Sequence, residues 1–201
     1  MIEMTEIKVR LTMTDPTLGM APQDKKLYET YIASKSPDAE TIAEEVERIG
    51  AEDVAAKGMT VFPRTKDGRP MIYDYQLKGF FKDAMGMLKR VPGSKTSEKA
   101  KQYKKIVDGL IFIKDRENPF RVSGDLGTCQ RPLRANTPAG EQVAIASSEE
   151  IPEGSTLEFT IWLLDSGLAD VVREALDYGR LRGICQWRNS GKGRFTWEEL
   201  K

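Results

Sequence analysis

STLEFTIWLLDSGLADVVREALDYGRLRGICQWRNSGKGRFTWEEL, residues 155–200, is the stretch from which the fold can be read. Its first part places Leu157, Phe159, Ile161 and Leu163 at every second position, the alternation of a strand with one face against a core. The spacing then changes. Leu168, Val171, Val172, Ala175 and Leu176 recur at intervals of three and four, which predicts a helix over 168–178 with Gly179 as its cap. GICQW then reads as a strand start, RNSGKG as a glycine-rich basic turn, and the segment through Phe195 and Trp197 as a closing strand. The chain as a whole, with strands and helices both present, reads as an α+β fold.

Working outward, IKVRLTMT at residues 7–14 sets Ile7, Val9, Leu11 and Met13 against Lys8, Arg10, Thr12 and Thr14, a second half-buried strand, which DPTLGMAPQD ends. Residues 27–34 suit a short helix. A clearer one opens at Pro37-Asp38, with Ile42, Val46 and Ile49 on one face, acidic residues on the other, and Gly50 at its end. Residues 59–64 read as a strand and TKDGRP as a turn. Residues 75–89 read as an amphipathic helix with Leu77, Phe80, Phe81, Ala84, Met85 and Leu88 inward and lysines outward. VPGSKTSEKAKQYKK is expected to be a mobile basic loop running into a helix, and LIFIKD and PFRVSGD to be short strands or a hairpin. RPLRANTPAGEQVAIASSEEIPEG reads as a long connection of turn residues around one apolar run, residues 143–146.

Composition narrows the chemistry. A chain of 201 residues with 39% apolar and 31% charged residues suits one folded domain, and no run approaches the roughly 18 apolar residues of a membrane span. The start, MIEMTEIKVR, runs straight into a strand, so the expected location is the cytoplasm with no membrane partner. Cys129 and Cys185 are too few for a disulfide framework or a thiolate metal site and read as free thiols. Histidine is absent, which excludes Ser-His-Asp and Cys-His catalysis and imidazole metal ligation. No catalytic residue, metal or cofactor is therefore expected. The net charge is zero but unevenly spread: residues 38–53 are acidic with only Arg48 against them, while residues 78–105 are rich in lysine with only Asp83 and Glu98.

GSKT (residues 93–96) and SGKG (residues 190–193) each fall short of a phosphate loop, and no dinucleotide glycine motif follows a strand. RNSGKGRF carries more. Gly191 and Gly193 would let backbone approach a ligand, Arg188, Lys192 and Arg194 supply donors for phosphate oxygens, and Trp187 and Phe195 offer stacking faces. The same residues also fit a tight hairpin turn with solvated charges. Lys78 and Lys82, with Lys89 and Arg90, make one helix face basic, which suits either RNA or solvent. Arg131 and Arg134 suit a phosphate fork, or a tie from their loop to Glu149 or Glu150. Asp15, after the first strand, suits a turn cap before Pro16, or a group orienting a metal or hydroxyl.

Taken in order, these pieces resemble the RAMP superfamily, the RNA-binding subunits of CRISPR effector complexes. The likeness rests on LTMTDPTLGM, on PMIYDYQLKGFFKDAM with Leu77-Lys78-Gly79 leading into a helix, and on LEFTIWLLD through GKGRFTW. It implies one RAMP-like domain over 1–201, of modified ferredoxin-like fold, with an antiparallel sheet, helices on one face, an insertion around 20–58 and an irregular connection around 115–154. It further implies RNA held mainly by its backbone, at Lys78, Lys82, Arg131, Arg134, Trp187, Arg188, Gly191, Lys192, Gly193 and Arg194. Other subunits of a ribonucleoprotein, or further copies of the chain, would be its partners. Some members cleave RNA with an aspartate after the first strand or helix, the place of Asp15. Residues 129–160 also look like prophage proteins of similar length. The competing expectations are a protein that engages a host defence complex through the acidic helix, and a self-assembling scaffold.

Overall fold

The computed structural model describes residues 4–22, 59–137 and 140–201, with the backbone alone over 132–137 and 140–145. The helices expected at 27–34 and 37–49, and the acidic stretch, lie outside the described residues. Along the chain run β1 (Thr5–Met13), the two-residue strands β2 (Thr17–Leu18), β3 (Ala21–Pro22) and β4 (Thr60–Val61), β5 (Met71–Tyr73) and helix α1 (Asp74–Leu88). Short helices α2 (Lys95–Lys99) and α3 (Tyr103–Gly109) follow, then β6 (Ile111–Ile113), β7 (Glu117–Arg121), β8 (Gly127–Thr137) and β9 (Gly140–Ile151). The chain closes with β10 (Thr156–Leu163), α4 (Ala169–Arg182) and β11 (Phe195–Leu200).

The main sheet is antiparallel, in the order β11–β1–β10–β7–β5, with β10 at its centre and β1 between β10 and the edge strand β11. Register follows the alternation in the sequence: Ile7 lies opposite Ile161, Val9 opposite Phe159 and Leu11 opposite Leu157, all buried. The far edge of β10 is shared, with β6 along Ile161 to Leu163 and β7 along Thr156 and Leu157, and β5 then pairs with β7. LIFIKD and PFRVSGD are thus strands, paired with a common neighbour and not with each other. Helices α1 and α4 cover the apolar face, where Leu77, Phe81, Ala84 and Met85 meet Val171, Val172, Ala175 and Leu176 in one core. The opposite face is polar, and there Arg10 bridges Glu158 and Glu198 at 2.9 and 2.8 Å. This is the α+β ferredoxin-like arrangement, with helices on one face.

Residues 127–151 form a long hairpin, not the irregular connection expected around 115–154. Pairing runs without a break from Gly127 opposite Glu150 to Thr137 opposite Gly140. At its base, β2 and β4, with β3 beyond β4, pair with the edge of β9 that faces away from β8. Phe62 and Ile151 anchor it in the main core, and Phe62 meets Phe120 edge to face at 5.5 Å between ring centroids.

The basic segment after α1 is ordered by a carboxylate. Ser94 caps α2 by accepting from the Ser97 backbone N–H at 3.0 Å, and Glu174 of α4 accepts from the Lys95 and Thr96 backbone N–H groups at 2.8 and 2.9 Å. The chain's own carboxylate therefore sits where GSKT would hold an anion. Gly179 does not end α4. It is buried inside the helix, where a Cβ would lie 2.0 Å from the Phe195 ring, and the helix runs on to a cap at Gly183.

Candidate functional site

Residues 183–194 connect α4 to β11, and the path they take is a crossing, not a hairpin: β11 pairs with β1, and no strand forms at 184–187. At the crossing the Ile184 N–H donates to the Gly193 carbonyl at 2.8 Å. Gly193 has φ +73°, and a Cβ on it would fall 2.1 Å from the Ile184 carbonyl oxygen, so only glycine fits. Ile184 is buried as the plug beneath. Between the crossing points the loop makes a single 3-10 turn, Arg188–Ser190, entered through Cys185 and Trp187 in left-handed conformations (φ 64° and 54°), rare for side chains of that size.

The loop is fastened to the segment after β1. Gly193 N–H donates to the Pro16 carbonyl at 3.0 Å, Thr14 N–H to the Arg194 carbonyl at 2.9 Å, and the Gln186 side-chain amide to the Gly19 carbonyl at 2.7 Å. From β8, Arg131 donates to the Gln186 side-chain oxygen and to Ser148 Oγ, both at 2.9 Å, while its guanidinium lies 5.2 Å from the Trp187 ring centroid. The hairpin base, the first loop and the last loop thus meet at one point. Trp187 remains 40% exposed, so Arg131 leaves part of its surface open.

Ion pairs fix the rest. Arg188 and Arg182 both bind the Asp83 carboxylate of α1, at 2.8 and 3.0 Å, and Lys192 binds Glu150 of β9 at 2.8 Å. Arg182 is held firmly protonated, chiefly by its hydrogen bond to Asp83. Neither Arg131 nor the exposed Arg194 pairs with a carboxylate among the described residues, and two arginines share Asp83, so positive charge is in surplus. Desolvation pushes the Cys185 thiol up to about 12, against a smaller opposing effect of Arg188.

Of the residues singled out in the sequence, Arg131, Trp187, Arg188, Gly191, Lys192, Gly193 and Arg194 come together here. Lys78 and Lys82 do not. They lie about 100–140° around α1 from Asp83 and face α3 and β6, where Lys82 pairs with Asp108 at 2.6 Å and Lys78 lies 4.6 Å from the Phe112 ring centroid. Burial lowers the Lys78 pKa below its ordinary value, with Asp108 opposing. The side chain of Arg134 lies outside the described residues. Glu149 is engaged not by Arg131 but by Arg64 and the Phe62 N–H. Asp15 is half-buried and accepts from Thr14 Oγ1 at 3.2 Å, and no cluster of three or more metal-binding side chains occurs among the described residues. Sequence reasoning missed Gln186, which joins Arg131 to Gly19, and Asp83, which orients Arg188. Asp83 carries a weak signal as one of only two acids in the basic run.

No protein-family model and no curated protein matches the sequence. Among solved structures, the chain is similar to a chain in the cryo-EM structure of the type III-B Cmr-beta bound to cognate target RNA, with a TM-score of 0.56 and 13% identity. The likeness covers 100% of this chain and 60% of that one. At that identity it shows a shared fold. No helix among the described residues is long and apolar enough to cross a membrane.

Proposed function

We propose that this chain, sharing its fold with a chain of an RNA-bound Cmr-beta structure, is a RAMP-like RNA-binding protein that holds its ligand mainly by the backbone. The observation that carries the reading is the crossed loop, which gathers Arg188, Lys192 and Arg194 with Arg131 and Trp187 at one place and leaves positive charge in excess. Lys and Arg side chains gathered on one loop match what phosphate oxygens require, and an exposed indole beside them supplies a face for a base, while Gly193 serves the crossing and not the approach of a ligand. Lys78 and Lys82 would extend this surface along α1 only by exchanging Asp108 for phosphate. Binding without turnover is part of the proposal, as is assembly with other subunits of a ribonucleoprotein. A phage setting rests on the sequence likeness of residues 129–160 alone.

The test is RNA binding by fluorescence anisotropy across a salt series. Replacing Arg188, Lys192 and Arg194 together by alanine should weaken binding nearly equally for all sequences. It should also flatten the log–log salt slope by up to about 2, since each phosphate contact on a single strand contributes about 0.7. Arg188 and Lys192 are three-quarters buried in ion pairs, so the variant should also lose on the order of 1–2 kcal/mol of stability. Circular dichroism at the assay temperature shows whether it remains folded. Absence of salt-sensitive binding by the wild type, or wild-type binding by the folded triple variant, rules the reading out.

A further inference from the structure

A second basic surface lies away from the crossed loop. Lys99 of α2, Lys101 and Gln102 of the turn after it, and Lys105 and Ile106 of α3 with Leu110 line an open groove of about 450 Å³. Ile106 and Leu110, four residues apart and half-buried, form its apolar floor, and the lysines stand exposed around it. Lys101 and Lys105 pair with no carboxylate among the described residues, and Lys99 reaches only the exposed Asp170, at 3.7 Å. Glu98 is the one acid in the lining, so positive charge is in excess.

That combination fits a protein segment better than a nucleic acid. Phosphate oxygens need donors and gain nothing from a floor of Ile and Leu, whereas an amphipathic helix with an acidic face uses both the floor and the rim. The chain's own sequence supplies such a segment. Residues 38–53 carry seven carboxylates against Arg48, with Ile42, Val46 and Ile49 at intervals of four and three. The charges of the whole chain cancel to zero, so copies do not repel one another as those of a strongly charged protein would.

The groove and the root of that segment lie at opposite ends of α4, which is about 20 Å long. α2 packs on the first turns of α4 through Glu174 and Asp170. Residues 23–58 leave and rejoin the fold where Pro22 pairs with Thr60, and there Gly19 lies against Val61 and accepts from Gln186 of the crossed loop, beyond the other end of α4. We infer that the groove between α2 and α3 receives the acidic segment 38–53 of a second copy of the chain, with Ile42, Val46 and Ile49 on Ile106 and Leu110 and the carboxylates against Lys99, Lys101 and Lys105. Such a contact is heterologous: each pair keeps one free groove and one free segment, and the contact repeats head to tail. It requires no RNA.

Sedimentation velocity on the RNA-free protein over a range of concentrations tests it. The wild type should self-associate, and more weakly as salt rises. Two variants, Lys101→Glu with Lys105→Glu, and Glu44→Lys with Glu45→Lys and Glu47→Lys, should each weaken self-association at least about tenfold, since like charges then face each other. An equimolar mixture of the two should restore a pairwise complex, in which the intact groove of one holds the intact segment of the other. A wild type that stays monomeric at every concentration overturns the inference, including the case where the segment covers the groove of its own chain, which both variants would reveal by losing stability in urea. Variants that associate as the wild type does, or a mixture that stays monomeric, overturn it too. If the lysine variant loses RNA binding and keeps its self-association, the groove is a nucleic-acid surface, and the inference falls while the RNA reading stands.

Discussion

Cys185 shows how one residue's surroundings override its type. It sits in a left-handed turn at φ 64° next to an arginine, a setting that would ordinarily favour the thiolate, yet desolvation dominates and the pKa rises from 9.0 to about 12. At pH 8.5 a thiol reagent should therefore modify Cys129 well before Cys185, and peptide mass spectrometry after timed labelling reads the order. Equal rates would contradict it. The effect on stability has a definite sign. Below pH 9 the thiol is protonated in both the folded and the unfolded chain and stability is unaffected, whereas between pH 9 and about 12 only the unfolded chain releases the proton. Stability then falls by up to about 1.4 kcal/mol per pH unit, a slope that Cys185→Ala should remove. None of this was legible in the sequence, where the residue is one of two isolated cysteines, because its pKa depends on segments that are distant along the chain.

At the scale of elements, legibility follows burial. The strand over 156–163 and the helices over 74–88 and 169–182 were readable because each has one face in the core, and that face imposes a period on the sequence. The hairpin of β8 and β9 was not readable: RPLRANTPAGEQ carries no alternation of apolar and polar residues, and backbone pairing with a neighbouring strand leaves no mark on side-chain order. The end of α4 was misplaced for a related reason, since Gly179 serves contact with Phe195 instead of a turn. The segment expected to be mobile is ordered by long-range contacts, Glu174 with the start of α2 and Lys99 with Asp170 among them. Glu174→Ala should remove the acceptor shared by Lys95 N–H, Thr96 N–H and Thr96 Oγ1, costing about 1–2 kcal/mol, and should raise hydrogen exchange over residues 94–100. Unchanged exchange there would show that α2 holds by its own cap.

Over the whole molecule, the candidate site was half legible: the basic residues of the last loop were evident from composition, but not their meeting with Arg131, Gln186 and the segment after β1, which only the sheet order brings together. The order β11–β1–β10 puts the two ends of the chain side by side, so the last loop must close over the first one. That closure hangs on Gly193, and Gly193→Ala should lower stability by about 2 kcal/mol or more in urea denaturation, since a methyl group there meets backbone and not a movable side chain. A loss under about 0.5 kcal/mol would mean the crossing opens freely. The crossing also divides the loop into a clasp and a cargo. Ile184 and Gly193 hold the path, Arg188 and Lys192 moor the interval between them to α1 and β9, and the exposed Asn189 and Ser190 at its tip are left as the positions where a substitution changes what the loop presents while the buckle, and the fold behind it, stays shut.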